Sequence, residues 1–182
     1  MRTVEKTTPL RVAHLEDNSL DAQLILYELK NAGIDCAVTQ VCSRLEFEAM
    51  LEKGEIDLIL SDSQIPGYDT LKALTRTREM RPEVPFVFVS GSTSPAAKTN
   101  AFFRGATGFV SKNELPKLVS LVKRIIAAKK GKPVNAPLPE IGVPVMVRCP
   151  EFTCLGYLDK KGIWRDFKGS EELRNVIDWA EL

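Results

Sequence analysis

The chain has one histidine, and its four cysteines include no C-x-x-C pair, so the spacing offers no Cys/His zinc set. Apolar runs fall well short of the roughly 20 residues that cross a bilayer. Met1 to Thr8 is polar and lacks the apolar centre of a signal peptide. A net charge of +1 supplies no field that would gather nucleic acid or an anionic membrane. There is no internal repeat and no low-complexity tract. These absences predict a cytoplasmic protein with no membrane insertion and no nucleic-acid partner. With 182 residues, 44% hydrophobic and 27% charged, the chain suits one ordinary globular domain plus a small appendage. Cys36 and Cys42 flank a predicted strand as space-fillers, and Cys149 and Cys154 are expected to stay reduced. His14, in the middle of a strand, is expected to be packed rather than reactive.

The stretch Asp57-Leu58-Ile59-Leu60-Ser61-Asp62 organises the rest. Leu58 to Leu60 form an unbroken apolar run, the pattern of a strand buried on both faces of a parallel sheet. The run stops at the carboxylate Asp62, and Pro66-Gly67 then turns the chain. Around it, strands are predicted at Leu10 to Leu15, Ala37 to Val41, Phe86 to Val89 and Thr107 to Val110. Helices follow each. The first is capped by Asn18 or Ser19 and carries Leu20, Leu24, Tyr27 and Ile25, Leu29 at helical spacing. The second opens on the capping box Ser43-Arg44-Leu45-Glu46. The third starts at Asp69-Thr70, the fourth at Ser94-Pro95, and the fifth runs from about Leu115 to Lys130. Five strand-then-helix units predict an α/β fold, a doubly wound five-stranded parallel sheet.

In such a sheet the carboxyl ends of the strands share one edge, where ligands bind. The first strand delivers Glu16 and Asp17, the third Asp62, the fourth Ser90 and the fifth Lys112. Clustered carboxylates repel unless a cation sits among them, and hard oxygen donors suit Mg²⁺. An ammonium and a hydroxyl opposite them suit a phosphoryl group. The pattern fits phosphoryl transfer onto a carboxylate. Each residue also has a plain structural use: Asp62 or Ser90 as a turn cap, Glu16-Asp17 at a helix N-terminus, Lys112 on the surface.

From about Leu10 to Lys130 the chain resembles a two-component receiver domain. The matching pieces are His14-Leu15-Glu16-Asp17-Asn18, the Asp62 to Gly67 turn, Val89-Ser90-Gly91, and Gly105-Ala106-Thr107-Gly108-Phe109-Val110-Ser111-Lys112. The resemblance implies the flavodoxin-like strand order 2-1-3-4-5. It implies Asp62 as phosphoacceptor from a sensor histidine kinase or phosphotransfer protein. It further implies Mg²⁺ held by Glu16, Asp17, Asp62 and the Gln64 carbonyl, with Lys112 and Ser90 on the phosphoryl oxygens and Phe109 as the switch aromatic. In receivers the fourth helix, fifth strand and fifth helix form the usual partner face, a possible homodimer surface here. Three departures stand out. The acidic pair is Glu-Asp, Lys112 is followed by Asn113 where proline is usual, and Asp69-Thr70 replaces a common Asp-Gly. A receiver that acts without phosphorylation is an alternative reading. An aspartate-nucleophile phosphohydrolase is disfavoured, because Gln64 stands where such enzymes usually carry a second aspartate. A flavodoxin-like cofactor binder is disfavoured because Glu16-Asp17-Asn18-Ser19 is no phosphate-cradling loop.

The predicted organisation is a receiver at 8–131, a proline-bearing linker at 132–141 and a small antiparallel β module at 142–182. In the module, strands are expected at Val143 to Arg148, Cys154 to Leu158 and Ile163 to Phe167, with Asp159-Lys160-Lys161-Gly162 as a hairpin turn. Ser170-Glu171-Glu172 caps a short helix or lies in a loop before a strand at Val176 to Trp179, and Trp164 and Trp179 build a miniature core. The module belongs to no recognised output family and offers a second surface for association.

Overall fold

The computed structural model describes residues 8–92, 94–129, 138–149, 153–168, 170–174, 176 and 178–180. The predicted linker up to residue 137 lies outside them. Five strands, β1 (Leu10–Leu15), β2 (Cys36–Val41), β3 (Leu58–Ser61), β4 (Phe86–Ser90) and β5 (Gly108–Ser111), form a parallel sheet in the order β2-β1-β3-β4-β5. Every residue of β3 and β4 is buried, the outcome expected for apolar runs covered on both faces. Helices α1 (Ser19–Asn31) and α5 (Leu115–Lys129) cover one face, where Ile25, Leu29, Leu118 and Val122 meet Val12, Leu58 and Leu60. Helices α2 (Arg44–Lys53), α3 (Thr70–Met80) and α4 (Pro95–Phe103) cover the other, where Phe47, Leu74 and Phe102 meet Leu15 and Ile59. Alternate strand residues thus serve opposite cores.

Local chemistry sets the helix starts. Asn18 caps α1 by accepting from the Leu20 N–H, Ser43 caps α2 from the Glu46 N–H, and Asp69 caps α3 from the Leu71 and Lys72 N–H groups. The Glu46 carboxylate reaches back to the Cys42 N–H rather than to Ser43. The two apolar rows of α1 face different ways. Leu20, Leu24 and Tyr27 are exposed, and Ala22, Ile25 and Leu29 are the buried stripe.

A second sheet of four antiparallel strands has the order β8-β7-β6-β9, with β6 Val145–Arg148, β7 Thr153–Leu158, β8 Trp164–Asp166 and β9 Asp178–Ala180. Asp159 Oδ1 accepts from the Lys161 and Ile163 N–H groups, and Gly162 takes φ 75°, which builds the predicted hairpin turn. Among the described residues, Ser170 to Glu172 forms no helix. Glu171 accepts the Asp166 N–H, and Glu172 bridges Arg165, so this segment lies along the β8 edge. Trp164 and Trp179 pack against Val145, Val147, Cys149 and Leu173. The sheet leans on the larger fold. Met146 joins the core containing Phe102, and the Arg124 guanidinium of α5 donates to the Trp179 carbonyl at 2.6 Å. The expected partner face of α4, β5 and α5 is therefore partly covered by the chain itself.

Gly156 in β7 marks a close approach of backbone and side chains within this sheet. A Cβ there would stand 2.7 Å from the Arg165 carbonyl oxygen and 2.9 Å from both Leu173 Cδ1 and Val147 Cγ2. Gly156→Ala is expected to cost about 2 kcal/mol by overpacking. The chain's two tryptophans, Trp164 and Trp179, both sit in this sheet. A lowered urea midpoint by tryptophan fluorescence is the expected result, and an unchanged midpoint would contradict the packing described.

Candidate functional site

The strand register brings the predicted residues to one edge. Leu15 pairs with Ser61, and the Asp62 N–H donates to the Leu15 carbonyl at 2.9 Å, so Glu16 and Asp62 emerge side by side. Ser90 pairs with Ser111, which sets Lys112 just beyond. The site lies over β1 and β3, where the chain runs outward in opposite directions along the sheet, the usual ligand crevice of open α/β folds.

Lys112 is the centre. Its Nζ donates to Glu16 Oε2 at 2.7 Å, Asp21 Oδ2 at 2.6 Å and Asp62 Oδ2 at 2.7 Å. The second oxygens of Glu16 and Asp62 are also held: Glu16 Oε1 accepts from the Asn18 N–H at 3.0 Å, and Asp62 Oδ1 from the Gln64 N–H at 3.0 Å. Burial opposes the Lys112 charge, but bonds to Asp21, Asp62 and Glu16 outweigh it and lift its pKa above the ordinary lysine value. Burial raises the Glu16 pKa, and the Lys112 bond pulls it only partly back. His14, one strand position behind Glu16's neighbour Leu15, is fully buried. Neither ring nitrogen has a hydrogen-bond partner among the described residues, and burial, with Lys112 nearby, lowers its pKa to about 4.

Ser90 Oγ lies 2.6 Å from Ser63 Oγ and donates to the Ser92 carbonyl at 3.0 Å. Phe109 is half-buried and stacks on Phe88 at 5.5 Å between ring centroids. It lines an open hollow of about 220 Å³ with Ser63, Gln64, Ser92 and Ala97. The Lys112 loop continues as a single 3₁₀ turn, Lys112–Glu114, with Ser111 accepting the Asn113 N–H, and its peptide bonds are trans.

The structure gathers Glu16, Asp62 and Lys112 directly and keeps Ser90 and Gln64 beside them. Asp17 is exposed and outside the set that touches Lys112. Two neighbours were not foreseen. Asp21 sits in the first turn of α1, where an acid is already explained by the helix N-terminus. Ser63 follows Asp62, and its pairing with Ser90 depends on tertiary placement. Among the described residues no three His, Cys, Asp or Glu side chains form a ready cation cage, because the ammonium occupies the middle of the carboxylates. The donors still suit a hard cation. Glu16 Oε2 and Asp62 Oδ2 touch the same nitrogen, so they lie no more than twice 2.7 Å apart, and Asp17 stands exposed at the rim.

The family model for the response regulator receiver domain matches residues 12–124. The chain is 24% identical over 156 residues to the DNA-binding transcriptional regulator NtrC of Klebsiella pneumoniae, covering 82% of this chain and 33% of that one. It is 27% identical over 126 residues to the cell cycle transcriptional regulator CtrA of Caulobacter vibrioides, covering 67% and 52%. The chain thus spans between a third and about half the length of these curated relatives. Among solved structures, a CheY-like receiver domain protein from Methanospirillum hungatei matches with TM-score 0.59 at 19% identity, over 68% of this chain and 99% of that one. A response regulator from Thermotoga maritima matches with TM-score 0.57 at 22% identity, over 66% and 99%.

The family match over residues 12–124 makes the chain a receiver, a signalling domain. The chain belongs to the response regulator receiver domain family, the receivers of two-component phosphorelay signalling. The residues beyond 124 lie outside the family match. Among the described residues no helix is long and apolar enough to cross a membrane.

Proposed function

We propose that this protein is a phosphorylation switch in which Asp62 accepts a phosphoryl group from a sensor histidine kinase or phosphotransfer protein. The observation that carries the reading is the meeting of Glu16, Asp62 and Lys112 within hydrogen-bond distance, from three strand ends far apart in sequence. An Asp62 carboxylate oxygen attacks phosphorus, forming an O–P bond. The bond from phosphorus to the donor breaks, and the donor leaves with its electron pair. Glu16, Asp17, Asp62 and the Gln64 carbonyl are the residues that would hold Mg²⁺, which supplies charge neutralisation for the transferring group when bound. Lys112 remains protonated and pairs with a phosphoryl oxygen. Ser90 exchanges its Ser63 partner for another, and the hollow beside Phe109 leaves its ring room to turn.

The same reading divides the chain into a receiver at 8–131, a linker at 132–141 and a β module at 142–182, acting in the cytoplasm. Output passes through protein contact, with a partner or a second copy meeting the module or the α4, β5 and α5 face. Incubation with acetyl phosphate and Mg²⁺, followed by intact mass, tests the reading. The expected result is a gain of one phosphoryl group that disappears in Asp62→Asn. An unmodified wild-type chain, or a gain that persists in the variant, would overturn it.

A further inference from the structure

Asp21 lies at no strand end, yet its Oδ2 is as close to the Lys112 ammonium as the oxygens of Glu16 and Asp62 are. The three carboxylates come from the end of β1, the first turn of α1 and the end of β3. An ammonium has three protons to donate. These acceptors use its whole capacity and fix a long, many-rotamer stem. Asp62 is the member that changes when a phosphoryl group arrives. Glu16 is shared with Mg²⁺ in that reading, while Asp21 stands outside the Mg²⁺ set and is the holding point that persists. The Asn18 cap governs both, since its N–H binds Glu16 and its Oδ1 accepts the Asp21 N–H at 3.5 Å.

We infer that Asp21 is a positioning residue that holds the Lys112 ammonium where the phosphoryl oxygens on Asp62 arrive, and so sets the rate of Asp62 phosphorylation. The inference rests on Asp62 being the acceptor. Without Asp21 the ammonium keeps only Glu16 and Asp62 and swings about the line between them. A donor that must reorganise during transfer stabilises developing charge less than one already in place. With acetyl phosphate as donor, the O–P bond to Asp62 forms as the bond from phosphorus to acetate breaks. Acetate leaves with the electron pair, and no proton moves.

The test follows phosphoryl gain against time by intact mass for the full chain, Asp21→Asn and Asp21→Glu, over a series of Mg²⁺ concentrations. Asp21→Asn is expected to slow the rate at saturating Mg²⁺ by about tenfold, the scale of one lost charge-assisted hydrogen bond. Asp21→Glu is expected to restore most of it, and the Mg²⁺ concentration for half-maximal rate to move little. A second readout needs no turnover. The ¹⁵N–¹H signal of the Lys112 ammonium is expected to exchange slowly with water in the wild type and fast in Asp21→Asn. A wild-type saturated rate in Asp21→Asn, or a deficit erased by more Mg²⁺, would overturn the inference. So would a wild-type Lys112 signal that exchanges like surface lysines, whether or not Asp21→Asn folds. If the wild type gains no phosphoryl group, the Asp62 reading fails, while the ammonium signal still tests the clamp.

Discussion

Lys112→Met is expected to lose about 3 kcal/mol of folding stability in Mg²⁺-free buffer and to recover most of it when Mg²⁺ is added. The ammonium is the counter-charge for three carboxylates at 2.6–2.7 Å, and the side chains of Glu16 and Asp62 are only 1% and 12% exposed. Methionine keeps the stem's volume and removes the charge. Glu16 is then left buried beside Asp62 without its cation, the situation in which deleting one partner costs more than the pair contributes. Asp21 is 34% exposed and tempers the loss through solvent. A divalent cation and the ammonium compete for the same oxygens, so the variant is expected to gain more from Mg²⁺ than the wild type does. Asp62→Asn is the contrast. It leaves Lys112 with Glu16 and Asp21 and is expected to stay within about 1 kcal/mol of wild type. Urea unfolding at neutral pH, with and without Mg²⁺, measures all three. A Lys112→Met midpoint equal to wild type in Mg²⁺-free buffer would mean that the carboxylates do not depend on the ammonium.

The sheet was legible because its signals are local. The β3 run declares burial on both faces, and Asn18, Ser43 and Asp69 declare helix starts. The candidate site was legible because strand ends in a parallel sheet share an edge, which draws Glu16, Asp62, Ser90 and Lys112 together. What escaped depends on choices that spacing does not make. Helix α1 carries two apolar stripes at helical spacing, and period alone does not say which one faces β1 and β3. The last strand, β9, lies at Asp178–Ala180 rather than Val176 to Trp179, because its register is set across the sheet by Val147 and Met146. Asp21 lies in the first turn of α1, where the helix N-terminus alone accounts for an acid, and only the folded chain brings Lys112, 91 residues away, against it.

Acidification from pH 7 to pH 5 is expected to remove about 2 kcal/mol of stability through His14 alone. The folded-state pKa lies near 4, below the ordinary 6.5, because burial disfavours the charged ring. The unfolded chain therefore binds a proton that the folded chain refuses. The contribution is complete above pH 6.5, is lost as pH falls, and is exhausted near pH 4. Lys112 adds to the depression, and Asp62 and Asp21 oppose it. Glu16 acts in the opposite sense. Its raised pKa makes it a cost at neutral pH that lessens as it protonates, so it cannot produce the acid loss. His14→Leu removes two buried nitrogens that lack partners among the described residues. It is expected to be at least as stable as wild type at pH 7 and to flatten the decline towards pH 5. Urea unfolding at the two pH values, paired with an NMR titration of the single imidazole, checks both the window and its owner. An imidazole that titrates near 6.5 in the folded protein, or a decline that persists in His14→Leu, would place the acid sensitivity elsewhere.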